Sequence, residues 1–167
     1  MPETLPGVLF VCLGNICRSP TAQGVFEAML DRRQLRDQVR VDSCGTAHWH
    51  VGEPPDARSV REAARRGVDI STLRGRQLQV EDFARFDYII AMDRANLAEL
   101  ERQCPSHFRG ELRLFLDYAD CANISEVPDP YHEGRERFAE VLDLVEQASE
   151  GLLFELIRAK RIADATA

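Results

Sequence analysis

Four short runs of strand-type residues punctuate this chain, at 8–12 (VLFVC), 39–44 (VRVDSC), 88–92 (YIIAM) and 112–116 (LRLFL), and helical patterns lie between and after them. The first run contains no polar side chain, so a strand formed there must be covered on both faces, the condition met inside a parallel sheet. The helical patterns run over 20–33, 57–66, 94–103 and 135–160, and strand–helix alternation of this kind implies right-handed crossovers. The expected fold is therefore α/β: a single three-layer domain over residues 1–167, with a four-stranded parallel sheet and helices on both faces.

Such sheets carry their chemistry beyond the carboxyl ends of the strands. The loops that matter are 13–19, 45–56, 93 onward and 117–134. In the first of them, CLGNICRSP, Gly14 and Asn15 tolerate left-handed backbone angles. Ser19 and Pro20 suit the start of a helix, with Ser19 as the N-cap. Backbone N–H groups and a helix N-terminus then face one spot of about phosphate size. Arg18 adds a planar fork of donors, and Cys12 lies on the floor of the ring, where such surroundings favour the thiolate. The loop lacks the Gly-Lys-Ser/Thr ending of a nucleotide-binding loop and the GxGxxG of a dinucleotide fold, which disfavours both ligands. Attack of a cysteine on a phosphate ester requires a proton donor for the leaving group and later a base for water, and Asp129, stiffened by Pro128 and Pro130 in VPDPYHEG, is the candidate for both tasks. Pro54-Pro55 reads as a rigid corner before an Asp56 N-cap.

Composition narrows the partners. With 28 acidic against 21 basic residues the formal charge is −7, which disfavours nucleic acid as a ligand. No run reaches the roughly 18 apolar residues that would span a bilayer, and residues 1–7 do not resemble an export signal. No membrane association is expected. Five cysteines, an odd number in a chain of 167 residues, suit a reducing, cytoplasmic setting.

Taken together, CLGNICRSP and DPY resemble the low-molecular-weight protein tyrosine phosphatases, and the likeness continues through VDSCGT, the WHVGEPPD loop and EDFARFDYIIAMD to the terminal helix. The resemblance implies Cys12 as nucleophile, Arg18 as phosphate and transition-state ligand, and Asp129 as general acid and then base. It implies that the N–H groups of Leu13, Gly14, Asn15, Ile16, Cys17 and Arg18 wrap the phosphate. Ser19 would donate to the Cys12 sulfur, Asn15 would hold the loop in shape, and Ser43 would support Asn15. Trp49 and Tyr131 would clamp a phenyl ring; Ile16, where related arginine phosphatases carry threonine, favours phosphotyrosine. Cys17 would form a reversible, protective disulfide with Cys12. No metal or organic cofactor is implied. The partners implied are a tyrosine-phosphorylated protein and a tyrosine kinase counterpart.

Two positions depart from the family pattern. His132 replaces a second tyrosine, and Thr72 stands where a histidine is common, with one extra residue near Gly75. Rival readings are an arsenate reductase of the same fold relaying through Cys104 and Cys121, a zinc site from Cys44, His48 and His50, and a non-catalytic phosphate-binding module.

Overall fold

The computed structural model describes residues 5–120 and 123–163. Its elements follow the order β1 (Gly7–Cys12), α1 (Arg18–Arg32), β2 (Arg40–Gly45), α2 (Ala57–Arg65), α3 (Asp82–Arg85), β3 (Tyr88–Ala91), α4 (Arg94–Gln103), β4 (Glu111–Leu114) and α5 (Arg135–Arg158). Short 3-10 turns lie at Arg36–Gln38 and Phe115–Tyr118. The four strands form one parallel sheet in the order β2-β1-β3-β4. The chain leaves β1 toward β2 on one side and later returns to β3 on the other. The carboxyl end of β1 is thus the point at which the winding reverses, and a crevice opens there.

Alternation along β1 assigns its side chains to two cores. Val8, Phe10 and Cys12 face a large cluster with Phe26 and Leu30 of α1, Phe115, and Leu142, Val145 and Leu152 of α5. Leu9 and Val11 face a second cluster with Cys44, Phe83, Ile89 and Leu100. The expected three layers are present. Helix α1 forms because Ala22, Val25, Phe26, Met29 and Leu30 recur at helical spacing and are all buried; it ends where Gln34 turns left-handed, at φ 60°. Phe10 meets Phe26 edge-on, ring centroids 5.8 Å apart, and lies 5.0 Å from Phe115 at a tilt.

Most element boundaries shift by one or two residues from the sequence reading, and three differences bear on the fold or the site. The run 112–116 stops being strand at Leu114, because Phe115 and Leu116 are drawn into the core by the 3-10 turn. Helix α1 begins at Arg18, so Ser19 lies inside its first turn and caps nothing. Helix α3 is a single turn, too short to show a period.

At the seam between α5 and the 3-10 turn after β4 two backbones approach closely. A Cβ added at Gly151 would overlap the carbonyl oxygen of Tyr118. Alanine normally improves a helix by about 1 kcal/mol over glycine, but here separation of two backbones opposes that gain. Gly151→Ala is expected to lower unfolding free energy by about 1–3 kcal/mol in urea titrations; a stabilised variant would show that the seam opens freely.

Candidate active site

The loop from Leu13 to Cys17 turns through Asn15, a non-glycine residue at φ 57°. Asparagine is among the few residues that occupy this region at modest cost. Here its buried side chain is also fully engaged. Asn15 Nδ2 donates to Ser19 Oγ (2.7 Å) and to Ser43 Oγ (3.0 Å), while its Oδ1 accepts from the Arg76 backbone N–H (3.0 Å). Ser43 passes its own hydroxyl proton on to Gln23 Oε1 (2.7 Å). On the outer side, the N–H groups of Thr46 and Ala47 hold the carbonyls of Cys12 and Leu13, each at 2.9 Å. β2 must end in glycine at this point, because a Cβ on Gly45 would stand 2.7 Å from the Leu13 carbonyl oxygen. With its carbonyls turned outward, the loop leaves the N–H groups of Gly14, Ile16 and Cys17 without an acceptor among the described residues. Together with the N-terminus of α1 they are donors that an anion could use.

Cys12 ends β1 with its thiol 2% exposed in the floor of this cradle. The Asn15 N–H donates to Sγ at 3.3 Å, and Ser19 Oγ lies 3.0 Å away. Since Ser19 already accepts from Asn15, its single proton goes either to the Cys12 sulfur or to the Cys44 carbonyl at 3.3 Å. Freed from capping, Ser19 is thus available to sulfur, which is where the resemblance required it.

Arg18 is 3% exposed. One of its terminal nitrogens, Nη1, is fixed by Asp93 Oδ2 at 2.6 Å and by the Val127 carbonyl at 3.1 Å; Nη2 lies 3.7 Å from Asp129 Oδ2. Burial works against its charge, but the charges of Cys12 and Asp93 and the hydrogen bond to Asp93 outweigh that and hold its pKa above the ordinary arginine value. The Nε–Nη2 edge remains for a ligand. Asp93 in turn caps α4, accepting from the Asn96 N–H at 2.8 Å, while Asn96 Oδ1 accepts from the Asp93 N–H at 3.2 Å.

Val127 also ties the last loop to the sheet, its N–H donating to the Met92 carbonyl at 2.8 Å. This anchor carries Asp129 to the mouth of the cleft. There its carboxylate is half exposed and accepts from the Tyr131 N–H at 3.1 Å. The cleft, of about 310 Å³, is lined by Cys12, Leu13, Gly14, Ile16, Cys17 and Arg18 below, and by Trp49, His50, Asp129, Tyr131 and His132 around the rim. Trp49 (63%) and Tyr131 (41%) are large aromatic surfaces left open on its walls. His132 sits edge-on to Tyr131, 4.9 Å between centroids.

The nucleophile, arginine, carboxylate and aromatic candidates therefore converge. So do the supporting residues, Ser19, Asn15 and Ser43. The departure at Thr72 is resolved by Arg76, whose backbone serves Asn15 while its guanidinium bonds Asp82 through two nitrogens, each at 3.0 Å, and Asp42 at 3.0 Å. The longer loop near Gly75 is absorbed by pairing with the 45–56 loop, Gly52 N–H to Gly75 O and Gly75 N–H to Glu53 O, both 2.8 Å. Asp93, Arg76, Gln23 and Val127 escaped the sequence reading. Asp93 carried a signal nonetheless: an Asp three residues before an Asn, at a strand exit, is a capping pattern.

Cys17 is buried beside Ile16 and Phe138. Burial pushes its thiol up to about 12, against the pull of a hydrogen bond from Ser59. Cys44 instead belongs to the second core, on the other sheet face, and burial holds its thiol well above the usual range. His50 is occupied with Glu53, Nδ1 to Oε2 2.6 Å, so the trio Cys44, His48 and His50 does not assemble as ligands. Among the described residues no three His, Cys, Asp or Glu side chains are grouped to hold a metal. Cys104 contacts its own neighbour's carbonyl, Pro105 O at 3.6 Å, and Cys121 lies outside the described residues.

The chain is similar in sequence and fold to known proteins. The sequence profile of the family described as low molecular weight phosphotyrosine protein phosphatase matches residues 7–162. The low molecular weight protein-tyrosine-phosphatase YfkJ of Bacillus subtilis is 36% identical over 155 residues, 93% of this chain and 98% of that protein. A protein tyrosine phosphatase structure from Entamoeba histolytica superposes with a TM-score of 0.89 at 37% identity, covering 93% of this chain and 99% of the other. An arginine phosphatase from Drosophila superposes at 0.84 with 33% identity, covering 89% of this chain and 96% of the other. Profile, sequence and fold agree over nearly the whole length: the chain belongs to the low molecular weight phosphotyrosine protein phosphatase family.

Proposed function

We infer that this protein hydrolyses phosphotyrosine in proteins, and small aryl phosphates, through a phosphocysteine on Cys12. The observation that carries the reading is the convergence of the Cys12 sulfur, the loop N–H groups, the free edge of Arg18 and the Asp129 carboxyl on one cleft. The Cys12 thiolate attacks phosphorus and the P–O bond to the phenol breaks. Asp129, protonated at that moment, gives its proton to the departing oxygen. The ionised carboxylate next takes a proton from water as that water attacks phosphorus; the P–S bond breaks and inorganic phosphate leaves. The transferring group carries its negative charge into the ring of N–H donors and the Arg18 fork, preorganised for it. The Ser19 hydroxyl, turned from the Cys44 carbonyl toward sulfur, stabilises Cys12 as a leaving thiolate.

Trp49 and Tyr131 offer flat faces to an aromatic ring, and Ile16, 8% exposed, adds an apolar wall; this set supports phosphotyrosine over phosphoarginine. Cys17 lines the same cleft as Cys12, which supports a resolving role, although burial keeps its thiol protonated and so works against the attack. A sulfenic acid at Cys12 condenses with it to a disulfide and releases water. Phosphotyrosyl protein is then the partner, supplied by a tyrosine kinase, in the reducing cytoplasm.

Cys12→Ser is expected to hydrolyse para-nitrophenyl phosphate at less than about a ten-thousandth of the wild-type rate while still binding phosphate, measured by calorimetry; an active variant would remove the covalent step. Asp129→Ala should slow phenyl phosphate about 10²–10⁴-fold and para-nitrophenyl phosphate far less, because a good leaving group needs no proton. Equal losses on the two would count against the acid role. Asp93→Asn preserves the α4 cap but removes the charge holding Arg18. It is expected to cut kcat/KM by about tenfold or more, since hydrogen bonds between charged groups contribute about 1.5–3 kcal/mol, and to lower the unfolding temperature because the Arg18 charge stays buried without its close partner; unchanged kinetics of the folded variant would show that the Val127 carbonyl alone orients Arg18.

A further inference from the structure

Next to the catalytic cleft lies a second cavity, of about 180 Å³, between α2 and the segment that opens α5. The two are divided by one stack. Tyr131 lines the cleft, the Arg58 guanidinium lies 5.5 Å from its ring, and Arg58 lines the second cavity. Arg58 is locked in that wall. It makes two bonds to Asp56, Nε to Oδ1 at 3.0 Å and Nη2 to Oδ2 at 2.8 Å, and its other ring contact is Phe138 at 4.6 Å.

The lining is cationic in a protein whose net charge is −7. Four arginines, Arg58, Arg61, Arg65 and Arg135, face two carboxylates, Glu62 and Glu133. Glu62 is the organiser. It is 5% exposed, and its Oε1 accepts from Arg65 Nη1 at 3.0 Å and from Arg135 Nε at 2.7 Å. A single buried carboxylate thereby holds two guanidiniums by one edge each and leaves their remaining donors unspent. The side chains stay 47% and 70% exposed. Arg61, exposed on the same lip, makes no hydrogen bond or ion pair among the described residues. An exposed arginine with no hydrogen-bond or ion-pair partner among the described residues, which Asp56 senses only through space, stands beside two arginines held half-satisfied, and together they leave donors open to an anion.

We propose that this cavity binds an acidic group of the substrate chain close to the phosphotyrosine, a carboxylate or a second phosphoryl group, and so selects acidic phosphopeptides. The proposal rests on the phosphatase reading of the neighbouring cleft. A peptide whose phosphotyrosine ring lies between Trp49 and Tyr131 leaves the cleft past the Tyr131–Arg58 stack, and its adjoining side chains arrive over Arg61 and Arg135. The sign of the effect is diagnostic. The overall charge repels an acidic peptide, so a preference for one reports the local site.

The test compares kcat/KM for phosphotyrosine peptides flanked by glutamate, by serine or by lysine, and for one bearing two phosphotyrosines, with para-nitrophenyl phosphate as the substrate that has no flanks. The wild type is expected to favour the glutamate or doubly phosphorylated peptide over the serine peptide by about fivefold at low ionic strength, the factor a surface charge contact supplies. The preference should reside in KM and fade in salt. A larger gain with two phosphotyrosines assigns the cavity to a phosphoryl group, and a larger gain with glutamate assigns it to carboxylates. Arg61→Glu should abolish or invert the preference and leave para-nitrophenyl phosphate untouched. Turnover of all peptides without regard to flanks, or a preference that survives Arg61→Glu, overturns the subsite alone. No turnover of para-nitrophenyl phosphate by the wild type overturns the phosphatase reading and the subsite with it.

Discussion

The left-handed backbone at Asn15 is the constraint on which the site depends. A single inverted residue reverses the path of the chain between β1 and α1, and without it the N–H groups of Gly14, Ile16 and Cys17 could not share a focus. An asparagine there costs more than a glycine would, and the difference is met by its side chain. It bonds Ser19 in the following helix, Ser43 in the adjacent strand and Arg76 in a loop sixty-one positions on. Each partner is itself buried or pinned: Ser43 by Gln23, Arg76 by Asp42 and Asp82. The cradle is thus held by the tertiary fold, ready-made before any phosphate arrives, and catalysis draws on that preorganisation.

Arg18 solves a different problem. A guanidinium buried to 3% needs compensation, yet one tied down completely could not grip a phosphate. The solution divides its donors. Nη1 is occupied by Asp93 and Val127, whereas Nη2 lies only within 3.7 Å of Asp129 and, with Nε, keeps donors to spare. The same two residues join the site to the rest of the molecule. Asp93 begins α4, and Val127 both accepts from Arg18 and clips the Asp129 loop to the end of β3. One arginine therefore ties the loop after β3 to the loop that carries Asp129.

The division between what could and could not be read from the residues follows the reach of each interaction. The strand at VLFVC, the turn at Gly14-Asn15 and the helix after it are written in contiguous residues, so the cradle and its cysteine were legible locally. Asp129 was legible through its two prolines. Ser19 carries two expectations: Ser before Pro is a good local cap, which fails because α1 begins at Arg18, whereas the contact to Cys12 implied by the resemblance is the one that forms. Asp93, seventy-five positions from Arg18, and Arg76, sixty-one from Asn15, lay beyond any spacing rule. Thr72 shows the same limit from the other side. Where a histidine is common this chain has threonine, and Asn15 Oδ1 is served instead by the Arg76 backbone amide, a donor that no motif shows.

Charge is distributed along the same logic of local against global. The chain is acidic as a whole, which keeps polyanions off its surface, while its phosphate-binding charge is sunk into one cradle and one buried arginine. Field lines in such a crevice are focused by the low-dielectric walls, so a single guanidinium and a few N–H dipoles suffice where an open surface would need many lysines. The arginines beside Glu62 repeat that design one wall away: a buried carboxylate holds two of them by one nitrogen each, and an acidic protein thereby presents a cationic lining next to the cleft, which is what the proposed subsite draws on.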